Sequence, residues 1–410
     1  DKQQVIYLHL RKKIMVYILF DDSSRNNLLP LTFTKPIADL RVGIMTIREK
    51  WETYLKAKTY SLTEDYLSEK YPFNSSDETI LINGSIIPNK ELVKKIKRLG
   101  KNESIVNDKE EVIAQRIDTG DFGSAPSQNS ENTISHLYEG DCLKLNYPWD
   151  IFTFNHQAIE MDFDMAVKQG HDQKLNSTNT IIGNGKLFVD KSAVVNGAIL
   201  NTSTGPIFIG KNAEVMEGAN IRGPFALCKG GVVKMGAKIY GATTIGTFSK
   251  VGGECNNVVI GNYTNKAHDG FLGNSVLGDW CNIGADTNSS NLKNTYDQVK
   301  AWNYPDQTFI PTGLQFCGLI MGDHSKCAIN TMFNTGTVVG VNANIFGAGF
   351  QRNFIASFSW GGTAGFTHYD IDKAIEVAKQ VFKRRNIEFN SVEEQILRHV
   401  YKLTKLNRRH

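Results

Sequence analysis

Proline is scarce in this chain of 410 residues, 10 against 36 glycines, and no apolar run reaches the roughly 20 residues that span a bilayer. The first absence excludes a Pro-rich linker or disordered tract and favours many tight turns. The second excludes an α-helical membrane span, so no membrane partner is expected. Six cysteines (Cys142, Cys228, Cys255, Cys281, Cys317 and Cys327) include no CxxC pair. That excludes a zinc knuckle or a dense disulfide framework and reads as reduced thiols in a cytoplasmic protein. A net charge of only +4, with its dense basic clusters confined to 94–101 and 402–410, excludes a demand for nucleic acid.

What is present changes character along the chain. The apolar stretch 5–20 is broken by Arg-Lys-Lys and lacks a small-residue cleavage site, so residues 1–14 read as an upstream extension before a natural start at Met15. "MVYILF" (15–20) and "ETILINGS" (78–85) are buried-strand patterns, with "DDSSRNN" a polar loop after the first. Helices are expected at 45–58 and at 89–100, the latter with Asn89 as N-cap and Gly100 as stop. Strand alternating with helix is an α/β pattern. Residues 119–135 are a polar loop or insertion, and 147–170 a helix leaving the first domain. The expected boundaries are an α/β domain over 15–150, a linking helix over 151–178, a repeat domain over 179–350 and a helical cap over 351–410.

The second half repeats every six residues. Ile209, Val215, Ile221, Leu227, Val233, Ile239, Ile245 and Val251 fall in unbroken register, followed by Phe271, Leu277 and Ile283, and then by Met321, Cys327, Phe333, Val339 and Ile345. Each hexapeptide supplies one short strand with a single inward apolar side chain and a Gly, Asn or Asp at the corner. Three make a triangular coil of about eighteen residues, and stacked coils form a left-handed parallel β-helix. The period breaks at 253–270 and 285–312, where loops are expected to leave the prism. Two helices are expected at 370–386 and 391–403, with Ser391 and Glu394 as a capping box.

The run "KAHDGFLGNSVLGDWCNIGADTNSSN" (266–291) resembles, without a gap, the acetyl-transfer segment of the bifunctional UDP-N-acetylglucosamine pyrophosphorylase/glucosamine-1-phosphate N-acetyltransferases. The chain is most similar to the divergent sugar nucleotidyltransferases of that type from Bacteroidetes. The resemblance implies a truncated, divergent α/β nucleotidyltransferase-like domain, a linking helix, a left-handed β-helix acyltransferase domain with C-terminal helices, and a homotrimer that holds acetyl-CoA between adjacent β-helices. It places His268 on the general base, a task suited to an imidazole at neutral pH. It places Lys229, Asn256, Phe271, Asn282 and Asn291 on substrate-binding positions. Lys229 and Asn256 stand where the family has a phosphate-binding arginine and lysine, and Phe271 where it has a tyrosine.

"LFDDSSRNNLLPLTFTKPIADLRVG" (19–43) resembles the nucleotide loop of the same family, which implies nucleotide binding by Arg25, Lys35 and Arg41. The glycines of that loop are replaced by Asp21, Asp22, Ser23 and Ser24. The metal-binding aspartate falls on Ser85, and a second metal position falls on Asn155, with Mg²⁺ the implied ion. His324 and His368 carry no such resemblance, and their separation disfavours a zinc site between subunits.

Together these readings give a transferase that moves an acetyl or other acyl group from CoA to an amino-sugar phosphate or nucleotide sugar. The alternative is a non-catalytic trimer whose degenerate sites bind or sense a nucleotide sugar.

Overall fold

The computed structural model describes residues 15–74, 78–117 and 133–408. The extension 1–14, most of the 119–135 loop and the last two residues of the basic tail lie outside the described residues. Val16–Phe20 lies second from one edge of a mixed six-stranded sheet, flanked in parallel by Thr59–Leu62 at the edge and Thr79–Asn83. Val112–Ile117 then runs antiparallel to Thr79–Asn83, followed by Glu103–Val106 and the edge strand Ile134–Leu137.

Helix Ile47–Leu55 starts at a capping box formed by Thr46 and Glu49 and ends at Lys56 in the left-handed region. Asn89 caps helix Lys90–Ile96 as expected, but the helix stops before Gly100, with Lys97 as its last cap. The segment read as a polar loop after the first strand instead forms a helical turn, Ser24–Asn27, with Ser24 and Arg25 buried. Its polarity is spent inward on ion pairs and hydrogen bonds rather than on solvent.

The linking helix, Asp150–Ala166, joins the two halves through buried polar groups. Asp162 accepts from the amides of Ile44 (2.9 Å) and Met45 (3.1 Å) and pairs with Lys50, both side chains being fully buried. Gly43 must be glycine: its φ is +78° and a Cβ would sit 2.6 Å from Asp162 Oδ2.

From residue 180 the chain winds a parallel β-solenoid whose interior is three columns of side chains. The first runs Val189, Ile209, Leu227, Ile245, Ile260, Leu277, Met321, Val339, Ile355. The second includes Val195, Val215, Val233, Val251 and Lys266, and then Ile283, Cys327 and Ile345. The third runs Leu200, Ile221, Ile239, Cys255, Leu272, Ser289, Phe333. Each column is a stack of identical environments in which a buried Ile or Val contributes roughly 1.5–3 kcal/mol.

The eight residues of the first run are all buried, but the second run is out of register by one at its start. Leu272, not Phe271, points inward, because Leu272 and Leu277 share one uninterrupted strand, Phe271–Leu277, and stand five residues apart rather than six. For the same reason 253–270 stays in the prism as strands Glu254–Ile260 and Asn265–Lys266. The excursion after 289 does leave it and forms an antiparallel hairpin of Lys300–Asn303 with Thr308–Pro311.

One corner of the solenoid repeats a positive φ on every described coil from Asn212 onward: Asn212, Gly230, Phe248, Tyr263, Trp280, His324, Asn342 and Phe358. Non-glycine residues are disfavoured there, and neighbouring coils offset that cost by stacking. Tyr263 and Trp280 rings lie 4.2 Å apart, and Phe382 from the C-terminal helix Ile371–Lys383 stacks on Trp280 at 3.9 Å. The last helix, Ser391–Leu403, is capped by Asn390, which accepts from the Glu393 amide (3.0 Å), rather than by Ser391 as the sequence suggests. Asn390 stands one residue earlier in the extended conformation that an N-cap requires.

Candidate functional site

His268 is exposed at the corner between the second and third columns. The chain around it is fixed on every side. Lys266 Nζ, inside the solenoid, donates to the carbonyls of Gly252 (3.0 Å) and His268 (2.8 Å). The Asp286 amide donates to the Asp269 carbonyl (3.0 Å) and the Phe271 amide to Asn288 Oδ1 (2.8 Å). Gly253, one coil above, has φ +68°, and a Cβ there would lie 2.8 Å from the His268 carbonyl oxygen. A rigid turn thus presents an exposed imidazole. Burial lowers the Lys266 pKa, as expected for an ammonium held by carbonyls without a carboxylate partner.

Phe271 and Asn256 share the outer face next to this corner, Phe271 opposite Glu254 and Asn256 opposite Gly273. Asn291 follows on the same face, donating to Asn274 Oδ1 (2.8 Å). Glu254 was not singled out by the sequence reading. It accepts from the Tyr240 hydroxyl (2.6 Å), and that hydrogen bond, together with burial, pushes the Tyr240 pKa up to about 12. It sits on the shortened coil, where counting in sixes fails. Asn282 lies on a second face, accepting from Asn265 (3.0 Å), and Lys229 lies on the corner between the first and second columns. Within one chain Lys229 is therefore on a different corner from His268.

The cations of the N-terminal loop do not converge. Arg25 is buried, paired with Asp21 (2.7 Å) and donating to the Lys35 (3.1 Å) and Thr32 carbonyls. Lys35 reaches out of its domain to pair with Asp279 and Asp323 (2.9 Å) on the solenoid. Against the opposing effect of burial, these carboxylates raise its pKa further above the ordinary lysine value. Arg41 donates to the Ile44 carbonyl and approaches Asn262 (3.5 Å), while its buried Nε has no partner.

Mg²⁺ does not fit the residues present. Burial raises the Asp21 pKa, and the carboxylate is taken by Arg25 and Thr63. Asp22 is half-buried, and against the effect of burial Lys144 (2.9 Å) holds its pKa below the ordinary value. Ser85 Oγ donates to Asn83 Oδ1 (2.6 Å). Asn155 is saturated, accepting from the Gly43 amide (2.7 Å) and the Thr244 hydroxyl (3.1 Å) and donating to the Ala242 carbonyl (2.8 Å). It acts as a joint between domain, helix and solenoid. Among the described residues no cluster of three His, Cys, Asp or Glu side chains is arranged to hold a metal, and no helix is long and apolar enough to cross a membrane.

The α/β domain and the linking helix coincide with a match to a known family: residues 17–171 fit the model described as sugar nucleotidyl transferase. Part of the chain is similar to GlmU. It is 29% identical over 167 residues to the bifunctional protein GlmU of Synechococcus elongatus, covering 41% of this chain and 30% of that protein. With GlmU of a Picosynechococcus species it shares 28% identity over 171 residues, 42% of this chain and again 30% of the relative. The chain thus spans about a third of the length of the curated relatives it matches. Among solved structures it is similar to the polySia-specific acetyltransferase NeuO (16% identity, TM-score 0.31, 52% of this chain and 99% of that one). It is also similar to the UDP-N-acetylglucosamine acyltransferase of Francisella novicida (13% identity, TM-score 0.30, 57% of this chain and 88% of that one).

Proposed function

We propose that this chain is a transferase that moves an acetyl or other acyl group from acyl-CoA, with acetyl-CoA the first donor to test, to the amine of an amino-sugar phosphate or nucleotide sugar. The observation that carries the reading is His268: an exposed imidazole on a corner whose backbone is pinned from inside by Lys266. His268 takes a proton from the acceptor amine as the nitrogen attacks the thioester carbonyl. The new C–N bond forms, the C–S bond breaks, and CoA leaves as the thiol with a proton returned to sulfur. Phe271, Asn256, Asn291 and Glu254 border the acceptor, and Lys229 and Asn282 join the site from a neighbouring subunit of a homotrimer.

The test is thiol release from acetyl-CoA against amino sugars, their 1-phosphates and UDP derivatives. His268→Ala is expected to lower turnover about 10²–10⁴-fold without unfolding the protein; unchanged turnover overturns the assignment.

A second reading is a non-catalytic trimer that senses a nucleotide sugar; what favours it is that Arg25 and Lys35 are neutralised internally, which leaves the N-terminal domain without free cations for nucleotidyl transfer. Calorimetry separates the two readings, since binding of UDP-sugar with neither acyl-CoA binding nor turnover supports only the sensor.

A further inference from the structure

The hairpin that leaves the solenoid folds back onto its last coil, where Trp302 stacks on Phe354 at 4.2 Å. Between hairpin, coil and the turn Lys405–Asn407 after the last helix lies a cleft of about 190 Å³. His268 is not part of its lining. The first inward column runs from Leu277, on the strand that follows the His268 corner, through Met321 and Val339 to Ile355 at the cleft. At the usual strand spacing those steps amount to about 14 Å.

Three donors in this cleft have nothing to donate to. Arg352 is exposed and enters no ion pair or hydrogen bond among the described residues. Trp302 Nε1 and Ser359 Oγ are both buried without a hydrogen-bond partner, Ser359 being 1% exposed. The indole is held in place by its stack on Phe354 and by the edge contact with Phe309 (5.4 Å). The lining contains no carboxylate, and its other polar side chains are the amides of Gln307 and Asn407. Indole N–H and guanidinium groups only donate, and buried polar groups are normally satisfied, so the missing partner is an anionic acceptor.

The remaining lining is apolar, with Phe354, Ile355, Phe366 and Leu406. An apolar cavity of about 150 Å³ holds benzene. A cleft of about 190 Å³ therefore takes a ring-sized body together with a carboxylate, whereas a free phosphate would leave the apolar part unfilled. We propose that this cleft binds a small monocarboxylate with an apolar, ring-sized body. The carboxylate accepts from Arg352, Trp302 Nε1 and Ser359 Oγ, and the ring lies against Phe354, Phe366 and Leu406. Binding requires neither acyl transfer nor the role of His268. Because hairpin, last coil and C-terminal turn all line the cleft, an occupant ties the three together by mass action.

The test is calorimetry on the full chain with benzoate, using benzyl alcohol and inorganic phosphate as comparison probes. Benzoate is expected to bind at least about tenfold more tightly than either. Arg352→Gln, which breaks no contact within the chain, is expected to weaken benzoate by at least about tenfold and to leave benzyl alcohol unchanged. Lys405→Gln removes an exposed cation that is on the neighbouring turn but outside the lining, and is expected to leave benzoate binding unchanged. Saturating acetyl-CoA is likewise expected to leave it unchanged. No binding of benzoate, equal affinity for either comparison probe, or undiminished binding by Arg352→Gln overturns the proposal. So does an equal loss in Lys405→Gln, which would reduce the effect to general charge, or displacement by acetyl-CoA, which would make the cleft part of the acyl-donor groove.

Discussion

Lys266 and His268 are joined by a hydrogen bond that runs from the interior of the solenoid to its surface: the ammonium of the first donates to the carbonyl of the second at 2.8 Å. The inward column places Lys266 between Val251 and Ile283, where every described neighbour above it is apolar. An ammonium in that position is costly to desolvate, and what it gains is control of the turn that carries the imidazole.

Lys266→Met is therefore expected to separate stability from activity. Removing the buried charge leaves the unfolding free energy unchanged or raised, while the turn loses its internal tether and kcat for acyl transfer falls about tenfold. Thermal unfolding and thiol release, measured on the same preparation, check the two halves.

The register of the irregular coil is open to a direct comparison. Leu272 is 2% exposed and Phe271 is half-buried on the outer face. Leu272→Ala is expected to cost about 2–5 kcal/mol, and Phe271→Ala less than about 1 kcal/mol. Urea denaturation of the two variants reads the difference, and the reverse order would restore the uninterrupted six-residue count.

Lys35 joins the N-terminal domain to the solenoid through Asp279 and Asp323. Lys35→Met leaves two adjacent carboxylates uncompensated and is expected to destabilise the chain by roughly 3–5 kcal/mol. Its signature is earlier protease cleavage within 15–74 than in the wild type.

Burial lowers the Lys326 pKa to about 8, against 10.5 for the free side chain. Between those values the unfolded chain binds more protons than the folded one, so stability rises with pH across that window and the penalty is fully present below it. Lys326→Met is expected to flatten this rise. Denaturation midpoints of variant and wild type, compared at neutral pH and near pH 10.5, check the sign.

The solenoid was legible in the sequence because each coil corner isolates one inward residue, as Ile209 through Val251 show. It became illegible where coils shorten between Ile245 and Ile260 and where Lys266 and Cys255 occupy inward positions that pattern reading reserves for aliphatics. His268 was legible through a local motif. Glu254 was not, because its place beside Phe271 depends on strand pairing between coils. The N-terminal loop misled in a different way: Arg25 and Lys35 look like ligand-binding cations in sequence, and only the fold reveals Asp21, Asp279 and Asp323 as their partners.

One hydrophobic cluster contains Leu19 and Ile82 of the first sheet, Ile320 and Val338 of the late coils, and Leu397 of the last helix. This arrangement sets the order in which the protein can be made. A chain emerging from the ribosome presents its first strands long before the residues that finish their packing have been synthesised. The N-terminal sheet must wait, with apolar surface open to chaperones and to other nascent chains, until translation has passed the final coils, and a product halted near residue 300 would retain that exposed face.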